Sequence, residues 1–192
     1  MNNFFKYKNS VALQKGCLLL SEPYLHDPNF ERTVILICEH NDEGSFGLVV
    51  NKLSKVVFSD VIEDVDNFKE RLFVGGPVQQ DTLHFVYKGV GLEGAVEVAE
   101  GLYWGGNFEQ LLSMINTRNI NTKEFRFFLG YSGWSAGQLA NEIEENSWIV
   151  SKPINADLLI NTKFEVLWKI VLQQMGGKYE MYANYPIDPR MN

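Results

Sequence analysis

The sequence has few cysteines and no long hydrophobic run. Its two cysteines, Cys17 and Cys38, each lie inside a short apolar run and have no CxxC partner. This pattern disfavours a disulfide framework and a zinc site, and it predicts two buried, reduced thiols. No stretch approaches the roughly 18 apolar residues of a membrane span, and the N-terminus MNNFFKYKNS lacks the apolar core and cleavage site of a signal peptide. We therefore predict a cytoplasmic protein with no membrane partner.

Positive charge is also scarce. The chain carries 17 lysines and arginines against 24 aspartates and glutamates, for a formal net charge of -7, and its basic residues form no run. Because a negative field repels phosphate backbones, the charge does not support direct binding to nucleic acid unless a local basic patch reverses it. The helices predicted at 105–117 and 135–146 are separated by a strand, and the second is acidic, which disfavours a helix-turn-helix.

Histidine is the third scarce residue, and none of the three is placed as a metal ligand on a helix. His26 lies in a loop with prolines, His40 ends a strand and His84 lies within a strand. No pair therefore has the i, i+4 spacing of an HExxH site. We predict no metal and no cofactor; the alternative is a metal site formed by residues that are distant in sequence and converge in space.

A phosphate-binding loop is missing as well. The segment at 74–81, VGGPVQQD, has neither the GxGxxG pattern nor the GxxxxGK[ST] pattern. Gly75, Gly76 and Pro77 predict a turn that ends a strand. The alternative is a backbone surface that approaches a ligand closely.

The sequence does contain the elements of one globular domain over residues 1–192. At 192 residues and 45% hydrophobic composition, the chain can bury a full core. Apolar patterns predict strands at 16–21, 33–40, 45–52, 71–76, 82–89, 94–101, 124–131 and 147–153, and helices at 59–68, 105–117, 135–146 and 162–175. Asn107 and Gln110 have the spacing of a capping box for the helix at 105–117. Because the strands cluster and do not alternate strictly with helices, the predicted fold is α+β with a mostly antiparallel or mixed sheet.

The segment GWSAG at 133–137 matches the G-x-S-x-G pattern of a serine-hydrolase nucleophile. In the α/β-hydrolase fold, where this pattern marks the nucleophile, the catalytic histidine follows the serine in the chain. Here all three histidines precede Ser135. Ser135 and Gln138 also have the spacing of a capping box, so we predict that Ser135 caps the helix at 135–146. The alternative is a hydrolase that uses Ser135 or the carboxylates near Glu142, which otherwise form a solvated helix face.

Three longer segments carry a family resemblance. They are GCLLLSEPYLHDPNFERTVILICEHNDEGSFGLVVNK (16–52), RLFVGGPVQQDTLHFVY (71–87) and FRFFLGYSGWSAGQLANEIEENSW (125–148), followed by a closing helix with Trp168 and Gly176. The ordered set, over about residues 12–177, resembles the AlgH/YqgE family of small bacterial proteins. The resemblance implies a bent, partly barrel-like β-sheet flanked by helices. It also implies a proposed role as a transcriptional regulator, with no established enzymatic activity.

The residues that match the family pattern define a candidate binding site. The predicted binding residues are Asp27, His40, Asn51, Gly75, Gly76, Pro77, Gly133, Trp134, Gln138 and Glu142. The glycines and the tryptophan are often architectural in such a set, and the polar members are the better candidates for a shared surface. We predict a non-enzymatic regulatory or binding protein that acts through a protein or small-ligand partner, with a pocket near the glycine turns as one version.

Overall fold

The computed structural model describes residues 11–23, 25, 27, 30–65 and 67–185, which form ten strands and five helices. The strands are β1 (Cys17–Ser21), β2 (Val34–Asn41), β3 (Gly44–Val49), β4 (Leu53–Val57), β5 (Arg71–Val74), β6 (Val78–Lys88), β7 (Val96–Ala99), β8 (Leu102–Trp104), β9 (Phe125–Ser135) and β10 (Trp148–Pro153). The helices are α1 (Phe108–Asn116), α2 (Gln138–Glu144), α3 (Ala156–Asn161), α4 (Leu167–Met175) and α5 (Lys178–Tyr182).

The strands form one mixed sheet in the order β10-β1-β2-β3-β9-β6-β8-β7. The remaining two strands are joined to it through β9, because β5 pairs with β9 and β4 pairs with β5. Among the described strands β5 and β9 run parallel, and every other pair is antiparallel. The predicted α+β class with a mostly antiparallel sheet is therefore confirmed.

The sheet is bent around its largest hydrophobic cluster. This cluster takes side chains from nine strands, among them Leu18, Leu36, Leu48, Phe73, Val86, Val98, Leu102, Phe128 and Ile149, and α3 and α4 cover it with Leu159, Trp168 and Leu172. The curvature brings the start of β1 close to β7. The approach is so close that a Cβ on Gly16 would lie 2.4 Å from the carbonyl oxygen of Val98. The pairing of the described strands nevertheless stays open, and the sheet does not close into a barrel.

The opposite face of the sheet carries two smaller clusters. One lies under α2 and includes Trp134, Leu139 and Trp148, and the other lies under α1. Along β9, Phe128 belongs to the largest cluster but Trp134 belongs to the α2 cluster, although an even spacing normally keeps two residues on one face. Gly130 interrupts the alternation with a φ of 66°, as a bulge does. This irregularity turns Trp134 toward α2.

Arg126 attaches α3 to the sheet. Its guanidinium donates to the carbonyl oxygens of Val50 at 3.1 Å and Thr162 at 3.0 Å, and it lies 5.3 Å from the ring of Phe73. Burial lowers the pKa of Arg126 to about 10. The carbonyl oxygen of Ile160 also accepts a hydrogen bond from the guanidinium. Three peptide oxygens and a ring face thus take the place of water around this buried cation.

Several local predictions were wrong. The helix predicted at 59–68 is a 3-10 turn at Phe58–Asp60, and the structure adds β4, β8, α3 and α5 to the predicted elements. The final long helix starts at Leu167 and not at Thr162, which is instead the extended C-cap residue that follows α3. These elements are short, so packing decides them more than local pattern does.

Other local predictions were confirmed. Cys17 and Cys38 are free and buried, and burial raises the pKa of both thiols. Asn107 caps α1 by accepting from the backbone N–H of Gln110 at 3.0 Å. The Gln110 side chain does not complete the capping box, because it accepts from the N–H of Glu93 instead.

Candidate functional site

A groove of about 440 Å³ lies where β9, α2 and the start of β10 meet the loop between β1 and β2 and the start of β6. Its lining contains six predicted site residues, namely Asp27, Pro77, Gly133, Trp134, Gln138 and Glu142. Phe30, Val78 and Trp148 complete much of the wall. We call this surface the Trp groove. The structure therefore brings together most of the residues that the sequence predicted, from segments more than 100 positions apart.

Glu142 is the centre of the groove's hydrogen-bond network. Its Oε2 accepts from the indole N–H of Trp134 at 2.9 Å and from that of Trp148 at 2.7 Å, and its Oε1 accepts from the Gln138 amide at 3.0 Å. Both indoles are buried, with exposed fractions of 7% and 2%. Because one carboxylate satisfies two buried donors, Glu142 fixes the two rings relative to α2. No lysine or arginine of the described residues forms an ion pair with it.

Aromatic contacts make the wall of the groove rigid. The rings of Trp134 and Trp148 meet edge to face, with centroids 6.1 Å apart and an interplanar angle of 85°. Phe30 packs on Trp148 in the same manner, at 5.4 Å and 81°. Edge-to-face pairs place the positive rim of one ring on the negative face of the other. These contacts hold the three rings in one arrangement along the wall of the groove.

Ser135 does not cap α2, and that prediction was wrong. The residue ends β9, and the N-cap of α2 is Gly137 with a φ of 74°. Gln138 reaches back instead, because its Oε1 accepts from the backbone N–H of Ser135 at 3.1 Å and from the Ser135 hydroxyl at 3.2 Å. An amide oxygen is not a base, so this contact does not activate the hydroxyl as a nucleophile.

The described histidines make their contacts elsewhere, and His26 lies outside the described residues. His40 Nδ1 lies 2.8 Å from Ser45 Oγ on the exposed hairpin of β2 and β3. His84 Nε2 lies 3.1 Å from Thr82 Oγ1. Since the Thr82 hydroxyl already donates to the carbonyl of Gln79, it accepts from His84 Nε2.

Three predicted site residues serve the architecture. Asn51 accepts from the N–H of Val34 and donates to the carbonyl of Arg32, both at 2.9 Å, and so closes the loop before β2. Gly75 and Gly76 lie against β9, where a Cβ on either would come within 2.2 Å of backbone atoms. The turn at 75–77 is therefore a close backbone contact, and of its three residues Pro77 lines the Trp groove.

His40 stands apart from the Trp groove. A shallow depression of about 210 Å³ lies beside His40 and is lined by Glu39, Glu43 and Ser45. This depression shares Trp134 with the Trp groove. The structure does not bring His40 into the groove lining itself.

The sequence reasoning missed a row of aromatic side chains across four neighbouring strands. Phe46 on β3, Tyr131 on β9, His84 on β6 and Trp104 on β8 are all half-buried. Phe46 lies between two of its neighbours, with ring centroids 4.7 Å from Tyr131 and 4.6 Å from Trp104. Burial lowers the pKa of His84. Only the strand order and register reveal this row, so no local pattern could have found it.

The described part of the chain contains neither a cluster of metal-ligating side chains nor a membrane-spanning helix. Within it, no group of three or more His, Cys, Asp or Glu side chains converges in a way that could hold a metal ion. None of the helices formed by the described residues has both the length and the apolarity of a membrane span.

The fold and the groove together define an α+β protein with a bent, mostly antiparallel sheet and a surface groove built on a tryptophan pair. The profile of the AlgH-like family matches residues 18–180, and the chain belongs to that family. The resemblance seen in the sequence is therefore confirmed.

Close relatives extend over nearly the whole chain. It is 45% identical over 182 residues to a UPF0301 protein of Cytophaga hutchinsonii, an alignment that covers 94% of this chain and 100% of the relative. It is 38% identical over 195 residues to a UPF0301 protein of Bacteroides thetaiotaomicron, with coverage of 100% and 98%.

Solved structures share the fold. The solution structure of the AlgH protein from Pseudomonas aeruginosa matches with a TM-score of 0.71 and 25% identity, over 95% of this chain and 98% of that one. A crystal structure of a Corynebacterium diphtheriae protein also matches with a TM-score of 0.71, at 24% identity, over 91% and 94%. The second likeness concerns the fold alone.

Proposed function

We propose that this chain is a cytoplasmic, non-enzymatic binding protein whose partner docks in the Trp groove. The observation that carries the proposal is the Glu142 network. Side chains from β9, α2 and β10 are locked into one preformed surface, while the oxygen atoms that acid–base chemistry would use are occupied by indole and amide donors. Preformed grooves with aromatic walls and a few polar groups are typical of recognition sites.

The charge of the groove favours a partner that is not nucleic acid. Asp27 and Glu142 both line it, and the chain as a whole carries a net charge of -7. A phosphate backbone would meet a negative surface there. The regulatory role suggested by the AlgH-like family would then act through a protein or a small ligand, and any effect on transcription would be indirect.

A pull-down with paired charge variants tests the proposal. Tagged wild-type protein, Asp27→Arg and Asp42→Arg are purified from the native cytosol with and without nuclease, and bound proteins are quantified by mass spectrometry. Asp27 lines the groove, whereas Asp42 is exposed at the tip of the β2–β3 hairpin and serves as the matched control. We expect a partner that survives nuclease, is retained by Asp42→Arg and is lost from Asp27→Arg.

Two results would count against the proposal. Partners that vanish with nuclease would point to nucleic acid, and a DNA duplex should then bind with an affinity that falls steeply as salt rises. Labelling of the wild type by a fluorophosphonate probe, lost in Ser135→Ala, would instead support the hydrolase alternative.

A further inference from the structure

A second cavity, of about 680 Å³, lies between the end of β10 and the helices α3, α4 and α5. It shares no lining residue with the Trp groove. We propose that this cavity binds a small molecule with an apolar body and a single carboxylate. The inference goes beyond the proposed function, because it concerns a separate site and a different class of ligand.

The apolar part of the cavity belongs to the main core. Ile154 and Val171 are buried members of the largest hydrophobic cluster, and Leu158 and Met175 are half-buried side chains packed against it. All four line the cavity. Its volume falls within the range of roughly 300–1,000 Å³ that is common for small-molecule sites. An alkyl or aryl group placed there would remove this apolar surface from water, which is favourable.

The charged residues of the lining favour an anion. The lining contains two charged side chains, Lys152 and Asp157. Asp157 is paired with Lys88, whose Nζ lies 2.6 Å from its Oδ1, and this lysine lowers the pKa of the carboxyl group. Lys152 forms no ion pair with any described residue. The uncompensated charge at this cavity is therefore positive, although the chain as a whole is acidic.

Glu100 does not cancel this charge inside the cavity. It lines a neighbouring depression, together with Lys88 and Asp157, and it does not line the cavity itself. The Lys88–Asp157 pair stands between the two sites, because Asp157 contributes to both linings.

The neutral polar groups indicate a small, singly charged head group. Gln174 lines the cavity, and its side-chain amide makes no hydrogen bond with the described residues, so it is available as a donor. Asn161 donates one amide hydrogen to Asp157 at 3.1 Å, which leaves the second hydrogen of its NH2 group as a donor. Phosphate sites usually offer several cations or a ring of N–H donors. One lysine with amide donors suits a carboxylate better.

Three ligands with the same eight-carbon chain test the head group, namely octanoate, 1-octanol and octylamine. Their binding to the full-length protein is measured by calorimetry at low salt. We expect octanoate to bind more tightly than either of the others. Lys152→Gln should weaken octanoate binding by about two- to fivefold, as for one exposed charge pair. Lys169→Gln, an exposed lysine on α4 outside the lining, is the matched control.

Two tryptophan variants on α3 test the location. Leu158→Trp fills the cavity and should abolish octanoate binding, whereas Ile160→Trp changes a half-buried residue outside the lining and should retain it. Circular dichroism and thermal melting establish that each variant is folded. Asp27→Arg, in the Trp groove, should bind octanoate as the wild type does. The failure of one proposal can therefore be distinguished from the failure of the other.

Three outcomes would overturn the inference. The first is that none of the three ligands binds to the wild-type protein. The second is that octylamine or octanol binds as tightly as octanoate. The third is that folded Leu158→Trp binds octanoate unchanged, which would place the ligand elsewhere on the protein.

Discussion

Glu142 should contribute to stability far beyond an ordinary surface glutamate, and its replacement by alanine measures that contribution. The substitution leaves the indole N–H groups of Trp134 and Trp148 without their shared acceptor, and both rings are at least nine-tenths buried. A buried donor without a partner costs about 1–3 kcal/mol, or roughly 2–6 kcal/mol for two. Because Glu142 itself is half-buried at an open groove, water will replace part of the loss. We therefore expect about 2–4 kcal/mol.

The assay is equilibrium unfolding in urea, followed by far-UV circular dichroism so that altered tryptophan emission does not distort the transition. Glu144→Ala is the control, since Glu144 is an exposed residue of the same helix, and it should change the free energy of unfolding by less than about 0.5 kcal/mol. Glu142→Gln should cost less than Glu142→Ala, because the remaining amide oxygen can still accept from the indoles.

A double-mutant cycle with Trp148→Phe separates the hydrogen bond from other effects. Phenylalanine retains an aromatic ring but has no N–H donor, so the cost of Glu142→Ala should fall by about 1–2 kcal/mol in that background. The reasoning is refuted if Glu142→Ala matches the Glu144→Ala control. It is also refuted if its cost is the same with and without Trp148.

Three further predictions concern other parts of the fold. Asn107→Ala, which removes the cap of α1, should lower the free energy of unfolding by about 1 kcal/mol, whereas Ser135→Ala should cost about half as much or less in the same urea titration. The opposite ranking would mean that Ser135 does cap α2. Gly75→Ala should destabilise by about 3 kcal/mol or more in thermal melts, because its Cβ would lie 2.2 Å from the Gly130 carbonyl oxygen, and a near-wild-type melt would contradict that contact. Burial lowers the pKa of His84, so the imidazole is protonated at a higher pH in the unfolded chain than in the folded chain. The free energy of unfolding should therefore decrease as the pH is lowered from about 7 to about 5. His84→Gln should remove this component of the pH dependence, and an unchanged slope would show that another group is responsible.

The short segment between β9 and α2 shows how far local sequence could go. The strand before it, the helix after it and the importance of Trp134, Gln138 and Glu142 were all predicted. The role of Ser135 was not, because a capping-box spacing is also compatible with the reverse contact, in which Gln138 reaches back to the end of an extended strand. Hydrogen-bond direction depends on where the backbone turns, and Gly137 makes that turn.

Sequence alone determined the α+β class, the buried strands such as β2 and the cap of α1. These features depend on side-chain periodicity and capping chemistry, which act over a few residues. The assembly of the Trp groove was decided only by the tertiary structure. The positive φ of Gly130 interrupts the alternation of β9 and places Trp134 on the α2 side of the sheet, and Trp148 reaches it from β10, at the far end of the strand order. The same holds for the aromatic row of Phe46 and its neighbours and for the cavity beside Lys152. Their residues meet because strands pair and helices pack at long range, and no local window of sequence contains that information.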